Sequence, residues 1–191
     1  PCPFMPRMLA HAAVYRLRAH LRRGGVVAYP TESSYGLGCL PRHVRGLRRV
    51  VALKQRPQHK GLISIGADLA QLQPLLQPLS PAQQALLAQN WPAAKTYLIA
   101  AAAQTPTMLR GRSRSKLAVR VPAHAGARQL CRQLGTALVS TSCNRSGERP
   151  CVRAAEVRRR FGDKVWLVPG RCGGNRQPSQ IIDLASGVRL R

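Results

Sequence analysis

Carboxylates are scarce: six Asp and Glu stand against 31 Lys and Arg in 191 residues, a formal net charge of +25. So few acids exclude the multi-carboxylate cage that holds calcium. Aromatic residues make up 4% and do not interleave with the basic ones, so stacking on single-stranded nucleic acid has little support. No apolar run approaches the roughly 18–20 residues of a membrane span. The cysteines (Cys2, Cys39, Cys131, Cys143, Cys151, Cys172) include no C-x-x-C pair, and the five histidines show no metal spacing. A structural zinc is therefore not expected. A G-x-x-x-x-G-K-[ST] phosphate loop is absent as well. Six thiols in a chain of this size, with no secretion signal in the sequence, predict reduced cysteines and a cytoplasmic protein.

What is present is guanidinium. Arginine supplies 26 of the 31 cations, and such a surface attracts polyanions: nucleic acid, nucleotides or phosphate groups. Charge alone does not separate an RNA-binding module from an enzyme of anionic substrates. With 45% apolar residues the chain can build a core. Its length suits a single domain, 1–191, burying roughly 65–70% of the unfolded surface. The charge is uneven: residues 1–60 hold 12 Lys and Arg and residues 110–191 hold 18, while residues 61–109 hold only Lys95 and the acid Asp68.

Leu9, Ala13, Leu17 and Leu21 recur at i+4 opposite Arg16, Arg18, Arg22 and Arg23, and Gly24-Gly25 stops the helix they define. An Arg-rich, acid-poor start also marks organellar presequences, but this helix runs directly into a strand and is read as part of the domain. Strands are expected at 26–29, 62–65, 96–100, 117–121, 137–141 and 165–168, with a closing hairpin of 181–184 and 188–190. Helices are expected at 44–53, with Val44, Leu47 and Val51 inward, and at 125–134 and 153–161. Ser80-Pro81-Ala82-Gln83 reads as N-cap, helix-entry proline and capping-box partner of a helix running to about Gln89; Asp68 caps a short one. Strands alternating with helices imply an α/β architecture with a mixed sheet.

Three segments could carry chemistry. Lys54-Gln55-Arg56-Pro57-Gln58-His59-Lys60-Gly61 places three cations within seven residues where a helix stops. Lys offers point charge and Arg a fork, which suit phosphate oxygens, although a solvated basic helix end has the same composition. Ser140-Thr141-Ser142-Cys143-Asn144-Arg145-Ser146-Gly147 follows a strand, where hydroxyls and loop amides can cradle a ligand; an ordinary Ser/Asn turn is the alternative. Tyr29-Pro30-Thr31-Glu32-Ser33-Ser34-Tyr35-Gly36-Leu37-Gly38 is a strand running into a hydroxyl-rich loop, with Thr31 and Glu32 at the strand's end. Its glycines match part of a dinucleotide fingerprint but lack the third. Cys143 has no identifiable base and is read as a small packed residue.

Together these segments resemble the YrdC/TsaC family, the threonylcarbamoyl-AMP synthases. The matching stretches are Tyr-Pro-Thr-Glu-x-x-Tyr-Gly-Leu-Gly at 29–38, Lys-x-Arg-Pro-x-x-Lys-Gly-Leu-Ile at 54–63, and Trp-Pro at 91–92 with Thr96. Leu-Ala-Val-Arg-Val-Pro at 117–122, Ser-Thr-Ser-x-Asn-x-Ser-Gly at 140–147 and Pro-Ser-x-Ile-x-Asp at 178–183 complete the set. All six stand in the family's order and span nearly the whole chain. Departures are Trp91-Pro92-Ala93-Ala94-Lys95 where the family has Trp-Pro-Gly-Pro, Cys143 where alanine is common, and Arg145 at a usually apolar position.

The resemblance implies a twisted, mixed, open α/β sheet with flanking helices around a positively charged cavity, in one YrdC-like domain of the short bacterial form. It implies that L-threonine, bicarbonate and ATP yield threonylcarbamoyl-AMP and pyrophosphate. The product then passes to partner proteins that modify tRNA beside the anticodon. By the family pattern Lys54 and Arg56 are catalytic, and Lys54, Arg56, Lys60, Lys116, Ser142, Asn144 and Arg191 hold ATP. Thr31, Arg120, Ser140 and Ser179 hold threonine, Arg120 through its carboxylate. Mg2+ rides on the phosphates, with no ligand assigned among protein side chains. Attack of a carbamate oxygen on the α-phosphorus needs positioning and charge neutralisation more than a dedicated acid or base, which suits a site without a catalytic histidine. The alternative, motivated by charge alone, is a non-catalytic binder of double-stranded RNA or a ribosome-assembly protein. Weak RNA contact is compatible with both, and no membrane partner is expected.

Overall fold

The computed structural model describes residues 8–57, 60–175 and 177–191. Helix α1 (His11–Arg22) turns Val14, Leu17 and Leu21 inward and stops at Gly24, whose φ of +79° suits a residue without a Cβ. β1 (Val27–Pro30) follows and turns back into the antiparallel β2 (Tyr35–Gly38). Sequence pattern alone places 35–38 in a loop; they form a buried strand. Gly38 is there for closeness, since a Cβ on it would lie 2.3 Å from the Val139 carbonyl oxygen.

In α2 (Val44–Lys54) the inward stripe is Leu47, Val50 and Lys54, spaced three and four residues apart. Val44, expected inward, is 44% exposed, and Val51 is only half-buried. His43 caps this helix: Nδ1 accepts from Gly46 N at 3.2 Å, so Nε2 carries the proton and donates to Arg22 O at 3.0 Å. His124 caps α6 (Ala125–Leu134) in the same way, accepting from Ala127 N at 3.1 Å and donating to Arg171 O at 2.9 Å. Asp68 caps α3 (Leu69–Leu72), and the Ser80–Gln83 capping box opens α4 (Pro81–Asn90) as expected.

The α/β class with mixed strands and flanking helices holds, but the strands divide between two sheets rather than forming one. The larger sheet runs β6 (Leu138–Val139), β3 (Ser64–Ile65), β5 (Lys116–Arg120), β4 (Lys95–Ala100), β9 (Gln180–Asp183). The smaller runs β7 (Thr141–Ser142), β2, β1, β8 (Trp166–Leu167). The strand expected at 137–141 is thus broken: β6 pairs with β3, β7 pairs with β2, and Ser140 stands where the chain passes between sheets. Short α5 (Thr107–Arg110) precedes β5, and α7 (Ala154–Phe161) precedes β8. Beyond β9 the chain folds back, Asp183 N bonding Val188 O at 2.9 Å and Leu190 N bonding Ile181 O at 2.7 Å.

β1 is buried on both faces. Val26 and Ala28 join one core cluster with Leu37, Leu47 and Val119, and Val27 and Tyr29 join a second with Leu17, Leu130 and Leu138. This alternation places the two faces of β1 in different cores. Among the described residues no helix is long and apolar enough to cross a membrane. Cys39, Cys131, Cys143, Cys151 and Cys172 are free thiols, and Cys2 lies outside the described residues.

Candidate functional site

The β1–β2 turn and the break between β6 and β7 meet around a cavity of about 230 Å³. It is lined by Thr31, Arg120, Ser140, Ser142, Ser179 and Arg191, among others. Thr31 donates both its backbone N–H and its hydroxyl to Ser34 O, at 3.0 and 2.7 Å. With its one hydroxyl proton committed, Thr31 has only lone pairs to present to a ligand. Ser140 is fixed by its backbone N–H on Ile63 O at 2.8 Å, and the Ser179 hydroxyl lies 3.0 Å from that of buried Thr96.

Arg120 ends β5 and is 9% exposed. Its guanidinium makes no side-chain hydrogen bond among the described residues, and its buried Nε has no partner. The nearest acid is Glu32, whose Oε2 is 3.8 Å from Nη2; the other Glu32 oxygen accepts from Ala123 N at 2.8 Å. Five donors against one loose ion pair leave this cation under-satisfied for its depth. A carboxylate entering the cavity would complete it through paired hydrogen bonds.

Lys54 continues the inward stripe of α2 and is 3% exposed. Its ammonium donates to Ser142 O, to Asn144 O and Asn144 Oδ1 at 3.0 Å each, and to Ser142 Oγ at 3.3 Å. Burial, and then the Arg56 charge, push its pKa down from 10.5 to about 8. The Asn144 amide is held in turn: its Oδ1 accepts from Ser142 Oγ at 2.6 Å and its Nδ2 donates to Glu148 O at 2.7 Å. Lys54 and Asn144 line none of the three cavities around this site; they form a layer behind Ser142.

Two larger basins adjoin. One, of about 680 Å³, carries Arg56, Lys60, Arg110, Arg114, Lys116 and Arg191 over the open face of the larger sheet. Lys116 is paired with Asp183, whose carboxyl is held below its usual pKa by that contact and by Ser186. Arg191 Nε donates to Ser179 O at 3.3 Å. The other basin, of about 1,090 Å³, is reached past Ser33, Ser34 and Ser142 and carries Arg149, Arg153 and Arg171. Among the described residues, none of these three arginines has a carboxylate within ion-pair distance.

The structure therefore gathers Thr31, Arg120, Ser140, Ser142, Ser179, Arg56 and Arg191 at one cavity, sets Lys60 and Lys116 in the adjoining basin, and places Lys54 and Asn144 behind the wall. Gln58 and His59 lie outside the described residues. The Ala93-Ala94-Lys95 departure borders none of these cavities: Lys95 Nζ turns to Asn90 Oδ1 at 2.9 Å. Cys143 is fully buried, and burial pushes its thiol pKa up, away from the nucleophilic thiolate. Sequence did not single out Arg114, Arg149, Arg153 or Arg171, because each is one arginine among 26. Glu32 carried a better signal, being one of six acids and placed at a strand's end.

Two sheets meet at a hydroxyl-rimmed cavity, with a buried guanidinium below and arginine-lined basins beside it, an arrangement suited to small anionic ligands. Residues 19–191 match the family model Sua5/YciO/YrdC, described as telomere recombination, and the chain belongs to this family. It is 56% identical over 186 residues to the threonylcarbamoyl-AMP synthase of Neisseria meningitidis serogroup A, covering 97% of this chain and 98% of that one. It is 54% identical over 187 residues to that of Chromobacterium violaceum, covering 98% and 96%. E. coli YciO superposes with a TM-score of 0.81 at 25% identity, covering 97% of this chain and 91% of that one. P. abyssi Sua5 complexed with L-threonine gives 0.83 at 27%, with 94% of this chain matched to 53% of that one. The chain thus spans about half of that Sua5 but nearly all of the two synthases.

Proposed function

We propose that this chain is a threonylcarbamoyl-AMP synthase: L-threonine, bicarbonate and ATP are joined with release of pyrophosphate. Near full-length identity of 56% to a protein of that name carries the reading, and the cavity geometry supplies roles. Arg120 takes the threonine carboxylate, the one charged group of the substrate that its unmatched donors suit. Thr31, an acceptor toward the cavity, receives a proton-bearing group of the amino acid, and Ser140 and Ser179 close the pocket around its polar atoms. The threonine nitrogen attacks the bicarbonate carbon and water departs, leaving a carbamate; a carbamate oxygen then attacks the α-phosphorus as pyrophosphate leaves.

Arg56, Lys60, Lys116 and Arg191 surround the phosphates and offset the charge that builds on them. Ser142 lines the central cavity and the largest basin, its hydroxyl proton given to Asn144 Oδ1, and Lys54 and Asn144 hold it in place from behind. Magnesium accompanies the nucleotide as part of the substrate. Glu32 is occupied by Arg120 and Ala123, and Asp183 by Lys116 and Ser186, so these carboxylates do not fit a resident ion and no step runs through one. A single YrdC-like domain working in the cytoplasm, with transfer of the product to tRNA-modifying partner proteins, belongs to the same proposal.

The test is pyrophosphate release by the purified chain with Mg-ATP, requiring both threonine and bicarbonate. A folded sample that releases none, or releases it equally without threonine, contradicts the proposal. RNA contact through exposed arginines such as Arg16, Arg48 and Arg159 is a secondary reading that the +25 charge favours. RNA binding with a steep salt dependence, unchanged by saturating ATP and threonine, is its expected signature.

A further inference from the structure

We infer that Arg114 is a further substrate-binding residue: with Arg56 it forms a two-guanidinium seat for the terminal phosphates of the nucleotide. Arg114 lies outside all six stretches that carry the family resemblance, and its role rests on the synthase reading above.

Close backbone packing brings the two side chains together. Gly61 adopts φ +64°, and a Cβ on it would stand 2.7 Å from Arg110 O; Leu62 N donates to Leu109 O at 2.8 Å. The loop carrying Arg56 and Lys60 is thereby pinned against the turn carrying Arg110 and Arg114. Arg56 follows Gln55, a left-handed C-cap at φ 49°, and donates Nη2 to Gly61 O at 3.0 Å, while its buried Nε has no partner among the described residues. Arg114 reaches across the seam, Nη1 donating to Lys60 O at 3.3 Å.

The electrostatics point the same way. Burial first, and the nearby Arg114 charge second, lower the Arg56 pKa, so the two cations feel each other. Among the described residues no Asp or Glu lines this basin. Its Lys116 is engaged by Asp183 and its Arg191 by Ser179 O, whereas Arg56, Lys60 and Arg114 have no carboxylate partner among the described residues. An exposed arginine near a like charge ordinarily swings into water; Arg114 is instead tied beside Arg56. Like charges held together over an acid-free basin become favourable when a multiply charged anion enters between them. The most highly charged part of ATP is its terminal phosphates.

Calorimetric titrations of the full chain, its Arg114→Gln variant and an Arg112→Gln control decide the matter, with ATP, AMP, L-threonine and inorganic tripolyphosphate as probes. Arg112 is exposed on the same turn and lines none of the cavities at this site. Arg114→Gln is expected to weaken ATP and tripolyphosphate by roughly ten-fold or more, the scale of one charge-assisted hydrogen bond, and to leave AMP and threonine unchanged. KM for ATP should rise in step while kcat holds, with partial recovery in Arg114→Lys. Equal ATP and tripolyphosphate binding by Arg114→Gln and wild type overturns the inference, as does an equal loss of AMP and threonine. Wild-type chain that binds tripolyphosphate through Arg114 but not ATP keeps the seat and defeats the nucleotide reading; binding of neither defeats both.

Discussion

Replacing Lys54 with methionine keeps the aliphatic stem and removes the ammonium that ties α2 to the 142–144 loop. In the wild type up to three ammonium donors serve the four oxygens of Ser142 and Asn144. At ~1.5 kcal/mol each, the low end for hydrogen bonds to a charged group, three bonds contribute about 4–5 kcal/mol. Opposing them is the cost of burying the ammonium. The pKa, lowered from 10.5 to about 8, shows that burial and the Arg56 charge outweigh what those bonds give the ammonium. Lys54→Met should therefore change stability little, by no more than about 1–2 kcal/mol. Activity should fall much further, because the 142–144 loop is no longer held at the cavity wall, and a small misplacement of groups at a site can cost roughly 100-fold in turnover.

The same lysine gives a pH signature. As pH rises through about 8 the folded ammonium loses its proton, and pyrophosphate release should decline along an alkaline limb. Stability moves the other way. Because the folded pKa lies below the unfolded one, between about 8 and 10.5 the unfolded chain binds more protons, so wild type gains stability over Lys54→Met as pH rises through that window. In Lys54→Arg, which stays charged, the limb near 8 should vanish. A wild-type rate flat from about pH 7 to 9.5, or full activity in Lys54→Met, refutes the loop-anchoring role.

Arg120→Ala should raise the calorimetric Kd for L-threonine roughly 10- to 100-fold while sparing ATP; parallel losses for both ligands would count against a carboxylate-binding role. Gly38→Ala drives a Cβ to 2.3 Å from Val139 O and should cost about 1–3 kcal/mol in denaturant unfolding, so an unchanged midpoint contradicts the close-approach account. Ser80→Ala removes the α4 capping box and should lose ~1 kcal/mol with turnover at 25 °C intact; a loss of turnover would mean that α4 communicates with the site.

Where local chemistry decides conformation, the sequence was readable. Helix 125–134 was recovered to the residue because Gly135, at φ +70°, ends it, and α4 because Ser80, Pro81 and Gln83 act within one turn. Where distant contacts decide, it was not. Tyr35-Gly36-Leu37-Gly38 reads as a loop because two glycines suppress strand character, yet Gly38 is required by Val139, a residue of the other sheet. Residues 137–141 read as one strand because nothing local marks Ser140 as the crossing between sheets. At the site, residue types and spacing brought out Lys54, Arg56 and Lys60 together. That Lys54 points inward at loop oxygens follows from its phase on α2, seven residues beyond Leu47 and four beyond Val50. Arg114 could not stand out in a chain with 26 arginines; only its placement beside Arg56 distinguishes it.

The decisive measurement is mass-spectrometric detection of the nucleotide product when purified chain is incubated with Mg-ATP, bicarbonate and L-threonine. Threonylcarbamoyl-AMP should appear in equal amount to pyrophosphate, vanish when any one substrate is omitted, and carry label from 13C-bicarbonate in its carbamoyl carbon. Pyrophosphate accompanied by AMP alone, or a product without the label, contradicts the proposed reaction.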